Sequence, residues 1–118
     1  MEKSRKAKKK KVDVKRLTKG DKIVAALDQL GKDHGVELLL MGSPPECTSA
    51  IVGVAVEANV LRVVYDAEKY IVELMKANKW DRDDAQEWFD FNTVRGLDYD
   101  TRKNKPILIY RDMLEDYL

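Results

Sequence analysis

Two side chains in this sequence have the chemistry of a nucleophile and its base, and each type occurs once. Cys47 follows "SPPE", and His34 lies in "GKDHGV". A cysteine–histidine pair works when the two side chains are within hydrogen-bond reach and a third group orients the base. Nothing in the sequence brings them together, so we expect a partly buried thiol and an exposed loop histidine. One cysteine and one histidine also fall short of the four ligands of a structural zinc site.

Carboxylates are the second candidates for chemistry. Asp98 and Asp100 flank Tyr99 in the polar stretch "LDYDTRKNK", and Asp66 or Asp81 could join them around a hard cation. Because Mg²⁺ usually takes one or two carboxylates together with phosphate, "DYD" alone is a weak indication. The sequence has neither a phosphate-binding glycine loop nor a G-x-S-x-G motif. We therefore predict no metal ion, no cofactor and no enzymatic activity.

Charge gives the strongest functional indication. Residues 1–20, "MEKSRKAKKKKVDVKRLTKG", contain ten basic and two acidic side chains, whereas the remaining residues contain twelve basic and nineteen acidic ones. The formal net charge of +1 therefore conceals a basic arm on an acidic body. Lysine-rich segments neutralise phosphates, and lysine favours non-specific backbone attraction over base reading. The arm has no aromatic residue on which a base could stack.

We predict that nucleic acid or a nucleoprotein assembly contacts the arm and the basic side chains of the 101–105 loop. These residues are Lys3, Arg5, Lys6, Lys8, Lys9, Lys10, Lys11, Lys15, Arg16, Arg102, Lys103 and Lys105. An acidic groove on a protein partner and a solvated tail without a partner are the alternatives for the arm.

Acidic and aromatic side chains cluster between residues 80 and 99. We predict a partner-binding surface there, formed by Trp80, Asp83, Asp84, Glu87 and Tyr99. Aromatic side chains are enriched at binding hot spots, although Trp88 and Phe89 more often belong to a core. A solvated helix face is the alternative for the acidic side chains. Asn92 shares a helical face with Ala85, Trp88 and Phe89, so we expect it to be buried and to bond a loop backbone or the sheet edge, or to contact a ligand.

The hydrophobic pattern predicts one α+β domain over residues 17–118, after a basic arm over residues 1–16 that we expect to be disordered on its own. Three helices would pack on a mostly antiparallel sheet of three or four strands. The expected helices, after caps at Asp21, Asp66 and Asp81, cover 22–32, 67–79 and 82–95, the last one ending at Gly96. The expected strands cover 36–41, 50–56, 60–65 and 106–110, with 50–56 central and 106–110 at an edge.

A single cysteine fits a reducing compartment, and no apolar run approaches the length of a membrane span or follows the basic segment as in a secretory signal. We therefore expect a protein of the cytoplasm, without a membrane partner.

Residues 44–110 resemble small uncharacterised proteins encoded by bacteriophages and prophages. The shared motifs are "AIVGV", "VVYDAEKYIVELM", "AQEWFDFNTVRGL" and a strand that begins at a proline. The loop "DYDTRKNKP" departs from the glycine-containing turn expected at this place. The resemblance implies a phage origin and no activity. It favours a non-enzymatic accessory protein of the infected host cell, or a virion component, that binds a macromolecular partner through the arm. The alternatives are an inhibitor of a host or defence protein that acts through the acidic helices, and a small enzyme.

Overall fold

A computed structural model of the chain describes residues 19–42 and 47–118. The predicted arm and the boundary at residue 17 lie outside the described residues. Within them the fold is α+β, as predicted. The elements are α1 Lys19–His34, a 3₁₀ turn Thr48–Ala50, β1 Ile51–Glu57, β2 Val60–Asp66, α2 Ala67–Asn78, α3 Arg82–Trp88, a π-helix Phe89–Val94, α4 Arg95–Tyr99, β3 Ile107–Ile109 and α5 Arg111–Glu115.

The sheet of the described residues has three strands in the order β1-β2-β3. β1 and β2 form the predicted antiparallel hairpin, and Ala58 and Asn59 turn it with φ angles of 49° and 67°. β3 pairs with β2 in parallel, because the intervening helices return the chain to the same end of the sheet. The prediction that 50–56 is central was wrong: β1 is an edge strand, and β2 lies in the centre.

The segment 36–41 is not the strand that its apolar run predicted. The backbone groups of this segment hydrogen-bond to a helix carbonyl and to two side chains instead of to a strand. The Val36 amide donates to the carbonyl of Gly31 at 2.9 Å, the Glu37 carbonyl accepts from Asn104 Nδ2 at 3.2 Å, and the Met41 amide donates to the Tyr65 hydroxyl at 3.0 Å. Held by these bonds, the segment closes the end of α1 and packs Leu38, Leu40 and Met41 on the core.

The caps of the central helices are confirmed. Asp66 accepts a hydrogen bond from the Lys69 amide at 3.2 Å, and Asp81 accepts one from the Asp84 amide at 2.9 Å. Two expected helix limits were wrong. Asp21 lies inside the first turn of α1, which already includes Lys19, and the helix that begins at Arg82 runs past Gly96 to Tyr99.

Three aromatic side chains form the centre of the core. The Tyr65 and Tyr70 rings lie 5.7 Å apart, and the Tyr70 and Phe89 rings lie 5.4 Å apart, in tilted or edge-on contacts. All three residues are fully buried. Burial raises the pKa of the Tyr65 phenol above 10.0, the ordinary value. These rings join the sheet to α2 and to the π-helix, so they fix the direction of the helical surface described next.

Candidate functional site

The helix that begins at Arg82 presents an acidic and aromatic surface. Two adjoining depressions of about 420 and 360 Å³ lie on it. Asp84, Glu87 and Phe91 line both depressions. We call the two depressions together the acidic–aromatic surface. Its lining residues are Trp80, Asp83, Asp84, Gln86, Glu87, Trp88, Asp90, Phe91 and Asn92.

Phe91 is the apolar centre of this surface, with 60% of its area exposed. The Arg95 guanidinium lies over its ring, 5.8 Å from the centroid, in a cation–π contact. Trp80 and Trp88 border it, half-buried, with rings 6.2 Å apart. The exposed phenylalanine and the carboxylates around it give this surface an apolar centre and a polar rim.

The structure brings together four of the five residues that the sequence proposed for partner binding. Trp80, Asp83, Asp84 and Glu87 line the acidic–aromatic surface. Tyr99 is 75% exposed but lines neither depression. Phe91, which sequence reasoning placed on the flank of the helix, lies at the centre of the surface.

The expectation that Asn92 is buried was wrong. Asn92 is exposed, and its Nδ2 donates to the Trp88 carbonyl at 3.0 Å. The cause is the π-helix Phe89–Val94, whose wider turn shifts the buried position by one residue, so that Thr93 is buried instead.

The predicted cations of the 101–105 loop are mostly committed to the protein itself. Arg102 is exposed, and its Nε and Nη2 donate to the Asp100 carboxylate at 2.9 and 2.7 Å. This guanidinium lowers the pKa of Asp100 to about 2. Lys105 Nζ donates to the Leu97 carbonyl at 2.9 Å. Lys103 is exposed and makes no hydrogen bond or ion pair with another described residue. The nine predicted cations between Lys3 and Arg16 lie outside the described residues.

The residues considered for metal or nucleophile chemistry have other environments. His34 is exposed at the end of α1, and Cys47 is half-buried with a φ of 56° beside the 3₁₀ turn. Asp66 and Asp100 pair with Arg111 and Arg102. Across residues 19–42 and 47–118, no three His, Cys, Asp or Glu side chains gather as metal ligands.

Comparisons with protein-family models, curated proteins and solved structures found no match for this chain. In the part of the chain that the structure covers, no helix has the length and apolar character needed to cross a bilayer.

Proposed function

We propose that this protein is a non-enzymatic binding protein whose arm, residues 1–16, contacts nucleic acid or a nucleoprotein assembly. The separation of charge along the chain carries this proposal: ten of the first twenty residues are basic, whereas acidic side chains outnumber basic ones in the rest. Under the resemblance to phage-encoded proteins, the protein acts as an accessory factor in the cytoplasm of the infected cell or as a minor virion component.

The charged side chains of the body support the assignment of phosphate binding to the arm. Asp83, Asp84, Glu87 and Asp90 are exposed on one helical surface and repel a phosphate backbone. The Asp100–Arg102 pair and the Lys105–Leu97 bond leave Lys103 as the cation that the 101–105 loop offers to a ligand. Phosphate contacts are therefore concentrated in the arm.

Binding to fluorescently labelled duplex DNA, single-stranded DNA and RNA tests this function. The full chain, a 17–118 truncation and a full-length variant with all nine Lys and Arg of residues 1–16 changed to Gln are compared at about 100 mM salt, where the Debye length is about 10 Å. We expect the full chain to bind and both variants to lose binding while keeping their helical circular dichroism. Equal binding by the glutamine variant would refute the electrostatic role of the arm.

The exposed Phe91 within a carboxylate cluster favours a second candidate function. Here the acidic–aromatic surface binds a basic patch on a host or defence protein and inhibits or modulates it. The test variants are Asp83→Lys combined with Glu87→Lys, and Phe91→Ala. In this case proteins captured from a host lysate by the full chain are also captured by the 17–118 truncation, but not by the two surface variants. The reverse pattern assigns the captured partner to the arm.

A further inference from the structure

A cleft of about 380 Å³ lies between the 40–42 segment and the helix that begins at Arg82, and it shares Trp88 and Asn92 with the acidic–aromatic surface. Its lining residues are Leu40, Met41, Gly42, Trp88, Asn92, Thr93, Gly96, Leu97, Asp100, Arg102 and Pro106. The volume lies within the range of small-molecule sites, about 300–1,000 Å³. We call this site the π-helix cleft.

Three features distinguish the π-helix cleft. The first is the π-helix Phe89–Val94 itself, a rare conformation that is frequent at functional sites. The second is Thr93, which is 8% exposed and whose hydroxyl makes no hydrogen bond with another described residue. The hydroxyl oxygen itself reaches the surface, because every buried side-chain N or O atom of the described residues has a hydrogen-bond partner, so it is open to a ligand.

The third feature is Gly96, which lies inside a helix. Glycine weakens a helix relative to alanine, and a Cβ at this position would meet no described group within 4 Å outside its own turn. Neither close packing nor a positive φ requires glycine here, so the missing side chain leaves room in the cleft. Folded sequences break local rules of this kind mainly at functional sites, and here two such exceptions, the π-helix and Gly96, line one cavity.

We propose that the π-helix cleft binds an uncharged planar heteroaromatic group with adjacent hydrogen-bond donor and acceptor atoms, the chemistry of a nucleobase. Trp88, Met41 and Leu97 provide apolar walls. The Thr93 hydroxyl can donate and accept, and Asn92 keeps its Oδ1 and one N–H after bonding the Trp88 carbonyl. Together these two lining residues offer donor and acceptor atoms to a ligand in the cleft.

The charges of the cleft favour an uncharged ligand. Its two ionised side chains, Asp100 and Arg102, are paired through Nε–Oδ1 and Nη2–Oδ2 bonds, and their charges cancel. A phosphate or carboxylate that approaches Arg102 also meets the Asp100 carboxylate. The site is separate from the proposed role of the arm, so it can fail without affecting that proposal. A free nucleoside and an unpaired base in a single strand offer the same group.

The test is a titration of the ¹⁵N-labelled full chain, followed by amide chemical shifts. The probes are uridine, cytidine, adenosine and guanosine, each alone, with ribose 5-phosphate as the anionic control. A short single-stranded oligonucleotide is added to distinguish the source of the base. We expect at least one nucleoside to shift the amides of Trp88, Thr93, Gly96 and Leu97, with a Kd near or below about 1 mM.

Two variants and one control decide whether the cleft is responsible. Thr93→Val removes the hydroxyl at nearly constant volume, and Gly96→Leu fills the free space; each should weaken binding about fivefold or more. Ala77→Leu adds a side chain at an exposed position of α2 outside the cleft and should bind like the natural chain. Circular dichroism confirms that each variant is folded.

The outcomes are distinct. Binding of a nucleoside that Gly96→Leu abolishes supports the proposal. If the oligonucleotide binds more tightly than the nucleoside in the glutamine variant of the arm, the base comes from a strand; if it does not, the ligand is a free small molecule. The proposal is overturned if no nucleoside shifts these amides at millimolar concentration, if Gly96→Leu binds normally, or if ribose 5-phosphate produces the same shifts.

Discussion

At the residue scale, Asp66 connects three elements through one buried carboxylate. The residue is 4% exposed at the end of β2. Its Oδ1 accepts from the Lys69 amide at 3.2 Å and caps α2, while its Oδ2 accepts from Arg111 Nε at 2.9 Å and Nη2 at 2.7 Å. Arg111 is the first residue of α5, so this carboxylate holds the C-terminal helix to the sheet. Sequence reasoning identified the cap, whereas the distant Arg111 left no local signal.

Asp66→Ala and Asp66→Asn separate the two roles. The alanine variant loses both the cap and the ion pair, and we expect its free energy of unfolding to fall by about 1–3 kcal/mol. Asparagine caps a helix about as well as aspartate, so Asp66→Asn should lose about half as much. Urea unfolding measures the free energy of unfolding of both variants, and Asp83→Asn, a change at an exposed position, is the control. Equal losses in the two variants would mean that the cap contributes nothing.

At the element scale, the helix that begins at Arg82 shows what a regular periodicity can and cannot predict. Its start was predictable, because the Asp81 cap is a local signal. Its later course was not, because the π-helix changes the number of residues per turn. Projection with an ideal period therefore placed Asn92 in the core, where the fold places Thr93. The prediction that the helix ends at Gly96 was also wrong, because Gly96 lies within α4 and the helix continues to Tyr99.

A substitution at Gly96 checks this assignment. Since Gly96 is helical and a Cβ there has open space, Gly96→Ala should raise the free energy of unfolding by about 0.8–1 kcal/mol. Gly35 provides the opposite case, because it ends α1 with a φ of +65° and its amide bonds the Lys32 carbonyl. Gly35→Ala should therefore lower the free energy of unfolding by about 1 kcal/mol. Chemical denaturation distinguishes a gain from a loss of stability. A lower free energy of unfolding in Gly96→Ala would contradict the continuous helix.

The second and third helices are joined by a charged pair with a defined pH dependence. Arg82 Nη2 donates to Glu68 Oε1 at 2.6 Å, and Arg82 Nη1 bonds the other oxygen. The guanidinium lowers the pKa of Glu68 below its ordinary value of 4.5. A lowered folded-state pKa contributes stability above the unfolded value, and that contribution is lost as the pH falls through the folded value.

We therefore expect Glu68→Gln to be less stable than the natural chain at pH 7, by about 0.2–1 kcal/mol because the pair is partly exposed. The difference should shrink as the pH falls below 4.5 and vanish once Glu68 is protonated. Urea unfolding across this pH range measures it, with Glu73→Gln, whose carboxylate meets Lys76 at 3.8 Å, as the control. A difference that persists in strong acid would show that glutamine disturbs packing instead.

The sheet shows the limit of local pattern reading. The hairpin β1–β2 was predictable because its turn residues and alternating strands are adjacent in the sequence. The apolar run 36–41 has the composition of a strand, but its backbone bonds the end of α1 and the side chains of Asn104 and Tyr65 instead of a strand. Edge positions depend on contacts distant in sequence, so composition misplaced both this segment and the central strand.

At the scale of the whole molecule, charge is divided between two parts of the chain. The body surface carries its carboxylates on exposed helical positions and pairs several of its cations internally, including Arg82, Arg102 and Arg111. The basic side chains concentrate before residue 20. This division was fully visible in the sequence, whereas the internal pairing of the loop cations required the structure. The central claim is therefore that the arm, and not the body, binds nucleic acid.

The salt dependence of DNA binding tests this claim most directly. The observed binding constant of the full chain for labelled duplex DNA is measured from about 50 to 200 mM salt, beside the 17–118 truncation. Each phosphate contact contributes a slope of about −0.9 in log K against log salt, so four or more contacts from the arm predict a slope of about −3.6 or steeper. We expect that slope for the full chain and no measurable binding for the truncation. A shallow slope, or equal binding by the truncation, would contradict the account.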